Sequence, residues 1–253
     1  MHRSNMNGRM TSNTPRKPDM KLKYLIPEKW RLRLRLFQRT LSDALDQQAV
    51  FATAGTDIDC PFSVCEKQII RPGKSYEGKL HNLQLAAEKI NRVTIGSGET
   101  FSFWRVIGKP DHSNGYRKSR SLVSGSLAES YGGGLCQIAG ILYYLSLKGC
   151  LEIAERYHHS MDIYTEEERY APLGSDATVV YGYKDLRIRN PYSFPVRFRL
   201  DTDGDILTCC LQSTKRIVPE EVLFRIEHQG SMVEVITVRN GSVINRSAYR
   251  KNH

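Results

Sequence analysis

The chain has 253 residues, 40% of them hydrophobic and 25% charged, enough for one large domain or two small ones with ample core. That balance excludes collagen-like, coiled-coil and wholly disordered chains. The net charge of +10 is local: residues 1–39 hold eleven Lys and Arg against Asp19 and Glu28, so the remainder is nearly neutral.

A basic arm of this kind points to contact with an anionic membrane or a wall polymer through residues 16–39, or simply to solvation. Nucleic acid is a third surface that such an arm can meet, and the less expected one. The longest apolar run, Ile138 to Leu147, is about half the ~20 residues needed to span a bilayer, and the first thirty residues lack the apolar region of a secretory signal. The expected location is therefore cytoplasmic or peripheral to a membrane, and extracytoplasmic only by unconventional export. Six cysteines (Cys60, Cys65, Cys136, Cys150, Cys209, Cys210) are too sparse for a disulfide scaffold. Free thiols are the expectation, with Cys60 and Cys65 as a loop clip or half a metal site as the alternatives.

Taken in order, Met1 to Met20 is rich in Asn, Ser, Arg and Pro and is expected to be disordered in isolation. Trp30 to Phe37 interleaves bulky apolar residues with arginines. As a strand it has one basic and one apolar face; as a helix it aligns Leu32 with Leu36 while Leu34 falls away. The expectation is an element docked on the domain with its arginines outward, the other reading being an anchor on anionic membrane. Lys79 to Arg92 places Leu80, Leu83, Ala87 and Ile90 on one helical face. Thr100 to Ile107 reads as a strand carrying Phe101, Phe103 and Arg105 on one side, and Lys109 to Ser126 as a loop.

Gly132-Gly133-Gly134-Leu135-Cys136-Gln137 then opens a buried apolar helix running to Lys148. Cys136 would sit at its N-terminus, where unpaired amides and the helix dipole favour a thiolate. A nucleophile and a small buried residue in a glycine-rich turn are about equally supported by this stretch alone. The helix advances ~18 Å at ~1.5 Å per residue. Gly149 can reverse the chain, and an extended run from Leu151 to Tyr157 returns it ~23 Å at ~3.3 Å per residue to the level of Cys136. His158 and His159 follow, and strand alternation puts His159 on the face of Leu151 and Ile153, making it the candidate base. Asp176 opens the next expected strand, Asp176 to Tyr181, and can orient the imidazole, although an ordinary strand-capping role fits it as well. A metal site on both histidines is disfavoured, because neighbours on a strand face opposite ways. No cofactor is expected.

Tyr183 to Asn190, Phe194 to Leu200 and Ile206 to Leu211 continue as strands, with a hairpin turn at Asp201 to Gly204. Val222 to Ile226, Met232 to Val238 and Ser242 to Ile244 suggest further hairpins, read as structural. The expected organisation is a basic arm (1–40), a central domain (41–212) and a β-hairpin extension (213–253). The expected fold class is α+β, with the cysteine at the start of a buried helix packed on a mainly antiparallel sheet.

Five spaced motifs together carry a resemblance: Phe101-Ser102-Phe103-Trp104-Arg105, Gly132 to Gln137, Glu155-Arg156 followed by His159-Ser160, Asp176-Ala177-Thr178-Val179, and Gly182-Tyr183-Lys184-Asp185-Leu186. In this order, across roughly Lys79 to Leu200, the chain resembles the VanW family. The resemblance implies a protein of vancomycin resistance or cell-wall metabolism that acts on peptidoglycan stem peptides as a cysteine acyltransferase of the L,D-transpeptidase type, or as a peptidase. It assigns Cys136 as nucleophile, His159 as base and Asp176 as its partner. The family often has a first histidine where this chain has Tyr157. The amides of Cys136 and Gln137 would form an oxyanion hole, with Gly134, Trp104 and Arg105 beside the substrate. The alternative function is a non-catalytic accessory module that binds muropeptides or an envelope partner.

Overall fold

The computed structural model describes residues 27–46, 50–55, 58–73, 75–123, 126–162, 169 and 171–251. The disorder expected for Met1 to Met20 lies outside these residues. The elements are, in order, α1 (Glu28–Leu45), β1 (Phe62–Ile69), α2 (Tyr76–Ile90), β2 (Thr100–Ser102), α3 (Phe103–Ile107), β3 (Lys118–Val123), β4 (Ser126–Tyr131) and α4 (Leu135–Lys148). They continue with β5 (Glu152–Glu155), β6 (Met161–Asp162), β7 (Arg187–Arg189), β8 (Val196–Asp203), β9 (Ile206–Ser213), β10 (Val222–Gln229), β11 (Met232–Arg239) and β12 (Ser242–Lys251). The fold is α+β.

Rather than one sheet there are several small ones: β1-β9-β8, β2-β7-β5, the β3-β4 hairpin, and β10-β11-β12-β6. All pairings among them are antiparallel except β12 with β6. Helix α4 packs against β1, β9, β5 and α2. Ile138, Ile141, Leu142 and Leu145 are wholly buried, and Phe101 meets Phe198 edge-on at 5.9 Å in the same core. A helix apolar on all sides is a core helix, and each such aliphatic contributes roughly 1.5–3 kcal/mol by burial. A second, smaller core of Val233, Val235 and Tyr249 lies under the C-terminal strands.

Several sequence expectations are corrected. Thr100 to Ile107 is not one strand: β2 ends at Ser102, whose hydroxyl caps a helical turn by accepting from the Arg105 amide. The buried Asp185 carboxylate fixes that break, accepting from the Ser102 hydroxyl at 2.6 Å and the Trp104 amide at 3.1 Å. The region read as a loop carries the β3-β4 hairpin. Asp176 to Tyr181 forms no named strand, and the expected Tyr183 to Asn190 shortens to β7. Nor are all the cysteines thiols: Cys65 and Cys210, directly opposite on β1 and β9, form a disulfide. Nothing local could show this, because the bridge spans 145 residues and depends on strand register.

Among the described residues, helix α1 docks through one face. Leu32 and Leu36 meet the turn at Gly182, where a Cβ would stand 2.5 Å from Leu32 Cδ1, so a side chain there would push the Leu32 methyl aside. One and two turns further on, Arg39 pairs with Glu155 at 2.6 Å and Asp43 with Arg187 at 2.7 Å.

Candidate active site

The glycine turn before α4 is built from its backbone outward. Gly134, the helix N-cap, has φ +97°, a conformation that costs little only for glycine. The carbonyl of Gly133 accepts from Asn82, a fully buried side chain of α2 that also exchanges bonds with the backbone of Arg117. Helix α2 and the β3-β4 hairpin are thereby pinned to the turn. Cys136 emerges as the second residue of α4, half-buried.

The return from α4 differs from the alternating strand expected. Strand β5 ends at Glu155, and its pairing with β7 slips between Ile153 and Glu155. Strand parity therefore does not place His159. What places it is Asp176: one carboxylate oxygen, Oδ2, lies 2.8 Å from the His159 amide nitrogen and 2.6 Å from ring Nδ1. With Nδ1 so used, Nε2 is left for the thiol, and His159 and Cys136 each shift the other's ionisation. Thr178 Oγ1 stands 3.9 Å from the sulfur.

Asp176 is held from three sides. The backbone of residues 175–177 passes over Gly140, one turn along α4 from Cys136, where even a Cβ would make only ordinary contact at 3.7 Å from Asp176 Cα. Arg156, almost wholly buried, donates to the Asp176 carbonyl at 2.9 and 2.6 Å and to Oδ1 at 3.1 Å. Tyr249 of β12 donates its hydroxyl to the same Oδ1 at 2.5 Å. Arg156 also reaches Ser247 at 2.6 Å, so the C-terminal hairpins, read as merely structural, supply two supports of the site. Arg156 lies in the Glu155-Arg156 motif and so had a signal in the sequence. Tyr249 had no local signal at all.

The electrostatics follow this wiring. Burial pushes the Cys136 thiol up, but the hydrogen bond and charge of His159, with help from the Val179 backbone and the Thr178 hydroxyl, outweigh it and leave the thiol below its ordinary value. Burial pulls His159 down, and Asp176 and Cys136 more than reverse it, to about 10. Burial likewise opposes ionisation of Asp176, yet His159, Arg156 and Tyr249 hold its carboxyl well below the usual range. These directions are those of a thiolate–imidazolium pair beside a fixed carboxylate.

The other expected site residues divide. The Cys136 amide has no backbone acceptor among the described residues and can serve an oxyanion, whereas the Gln137 amide is used on the Gly134 carbonyl at 2.9 Å. The Gln137 side chain is buried and donates to the Ile69 carbonyl, which makes it a packing residue and not a second oxyanion donor. Arg105 is engaged with Asp43 at 2.8 Å and lies over the Phe51 ring at 3.9 Å, in the ionic knot beneath α1. Trp104 donates Nε1 to the Lys184 carbonyl at 2.7 Å and meets Tyr181 edge-on. The five motifs thus serve two purposes: Cys136, His159, Asp176 and Thr178 converge, while Ser102, Trp104, Glu155 and Asp185 frame the backbone beside them.

Fold and site together define an α+β protein with a cysteine at the start of a core helix beside a histidine that an aspartate holds by hydrogen bonds. A family model described as VanW like protein matches residues 78–212, more than half of the chain, and the chain belongs to the VanW family. It is 34% identical over 140 residues to the "Uncharacterized protein YoaR" of Bacillus subtilis (strain 168), covering 55% of this chain and 45% of that one. It is 30% identical over 167 residues to the "Vancomycin B-type resistance protein VanW" of Enterococcus faecalis (strain ATCC 700802 / V583), covering 66% of this chain and 55% of that one. The chain spans about half the length of these curated relatives. No solved structure matches it. Among the described residues no helix is long and apolar enough to cross a membrane, which says nothing of a β-barrel.

Proposed function

We propose that this VanW-family chain is a cysteine acyltransferase of cell-wall metabolism, acting on peptidoglycan stem peptides in the manner of an L,D-transpeptidase. The observation that carries the reading is the series Cys136, His159, Asp176, with Nδ1 of the imidazole 2.6 Å from the carboxylate and the same imidazole holding the thiol below its ordinary value. The Cys136 thiolate attacks the carbonyl between an L-centre and a terminal D-residue. His159 gives its Nε2 proton to the departing amine, leaving a thioester on Cys136. An acceptor amine then attacks the thioester, His159 takes its proton, and the thiolate is restored with a new amide formed; water in place of the amine gives a carboxylate product. The Cys136 amide stabilises the tetrahedral oxyanion, a contribution on the order of 3 kcal/mol.

The Cys65–Cys210 disulfide supports action in an oxidising compartment outside the cytoplasm, where cross-linking takes place. The experiment is intact-mass spectrometry of the protein incubated with tetrapeptide muropeptides, beside Cys136→Ala and His159→Ala. The expected result is an acyl adduct on Cys136, lost in the first variant and slowed in the second. Ligand bound with neither adduct nor product would replace this reading with a non-catalytic muropeptide-binding module.

A further inference from the structure

Helix α1 has two apolar stripes on opposite sides, and the described residues of the domain pack on only one. At about 100° per residue, Leu32, Leu36, Arg39 and Asp43 share the docked face. On the other side Trp30, Leu34, Phe37, Leu41 and Leu45 fall within an arc of about 80°. Their exposures run from 49% at Leu41 to 73% at Leu45. Five large apolar side chains in one line about 22 Å long, at ~1.5 Å per residue, form a continuous patch and not a scatter of single exposed residues.

Charge identifies what covers the patch. Arg33 flanks it on one side, its guanidinium 5.3 Å from the Trp30 ring, and the exposed Arg35 lies on the other. The acids of the helix include Asp43, which is turned inward onto Arg187 and Arg105. The sequence before the helix, residues 1–26, adds six Lys and Arg against Asp19 alone. A second copy would bring like arginines together along this stripe, and a soluble anionic polymer would leave the five apolar side chains in water. An anionic bilayer satisfies both features, taking the apolar stripe into its headgroup boundary while the arginines meet the phosphates.

We infer that α1 is an in-plane anchor that seats the protein on an anionic lipid surface through Trp30, Leu34, Phe37, Leu41 and Leu45. Because the docked face of the same helix closes on the turn at Gly182, a few residues from Thr178, the anchor fixes the cysteine site close to the bilayer. This inference does not depend on the reaction proposed above.

The test is flotation of the full chain with vesicles of phosphatidylcholine alone or with one-third phosphatidylglycerol, at 0.15 M salt on the order of physiological ionic strength. Expected is binding to the anionic vesicles only. In Trp30→Glu/Phe37→Glu it should fall at least about tenfold with melting temperature unchanged, since both side chains face solvent. In Arg33→Glu/Arg35→Glu, which spares the apolar stripe, it should also fall and lose its salt dependence. Absence of binding to anionic vesicles, or binding undiminished in both variants, would overturn the inference. So would a concentration-dependent dimer of the native chain that Trp30→Glu/Phe37→Glu abolishes, since the stripe would then be a self-association face.

Discussion

Tyr249, near the end of the described chain, donates its hydroxyl to Asp176 Oδ1 at 2.5 Å, a contact between residues 73 positions apart. It lies outside the span matched by the family, residues 78–212. The carboxylate that orients His159 is therefore completed by a hairpin beyond the shared region. Buried without that donor, Asp176 would hold its charge less firmly, and the imidazolium with it.

Tyr249→Phe keeps the ring in the small C-terminal core and removes only the hydroxyl. We expect a loss of about 1 kcal/mol in stability, typical of one net hydrogen bond. We also expect roughly three- to tenfold slower alkylation of Cys136 at neutral pH, following a higher thiol pKa. Unchanged alkylation with the same loss of stability would mean that the hydroxyl serves packing alone.

The rate of Cys136 alkylation by iodoacetamide should rise with pH through a midpoint below the ~8.5 of an ordinary thiol. In His159→Ala the midpoint should move up past that value, because burial of the thiol would then act unopposed by the imidazolium. Tryptic mapping of the labelled site separates Cys136 from Cys150, which burial pushes up to about 11.

Stability should depend on pH through the same pair. Folded His159 keeps its proton up to about 10, and the folded Cys136 thiol loses its proton below its ordinary value. In the unfolded chain the two titrate near about 6.5 and 8.5. The imidazole's share of stability is therefore present in full below about 6.5 and is lost as pH rises to about 10, while the thiol's share builds as pH rises through its folded value to about 8.5, so the net falls between about 8.5 and 10, by at most ~1.4 kcal/mol per pH unit. Urea titrations should show that fall, and in Cys136→Ala it should begin nearer about 6.5.

Asp43 is the inward acid of α1, held ionised against the cost of burial by Arg187 and Arg105. In Asp43→Ala these two arginines lose a shared partner, although Arg187 keeps Glu155 and Asp185. A loss of about 1–2 kcal/mol is expected, less than for a fully buried pair. The local sign is faster tryptic cleavage within Arg31 to Arg39, since those sites become accessible when the helix lifts. Cleavage at the native rate would show that Leu32 and Leu36 suffice for docking.

Local chemistry made part of the molecule legible. The apolar run after three glycines specified a core helix, because no other element buries side chains on every side at that length. The hairpins after Phe194 followed from alternation and turn residues, and the VanW family from five short motifs in order. His159 and Asp176 were reached from the sequence by counting residues along a helix and back. The tertiary structure then replaced strand parity with a carboxylate gripping both the amide and the ring of His159. What only the tertiary structure decided joins distant residues: Cys65 to Cys210, Tyr249 to Asp176, and the choice of docked face on α1. Helical periodicity showed Leu32 aligned with Leu36, but which stripe meets protein was set by the turn at Gly182 and by Arg187, placed there by the rest of the fold. Sequence pattern encodes which side chains share a face, whereas the partner of that face is a property of the packed chain.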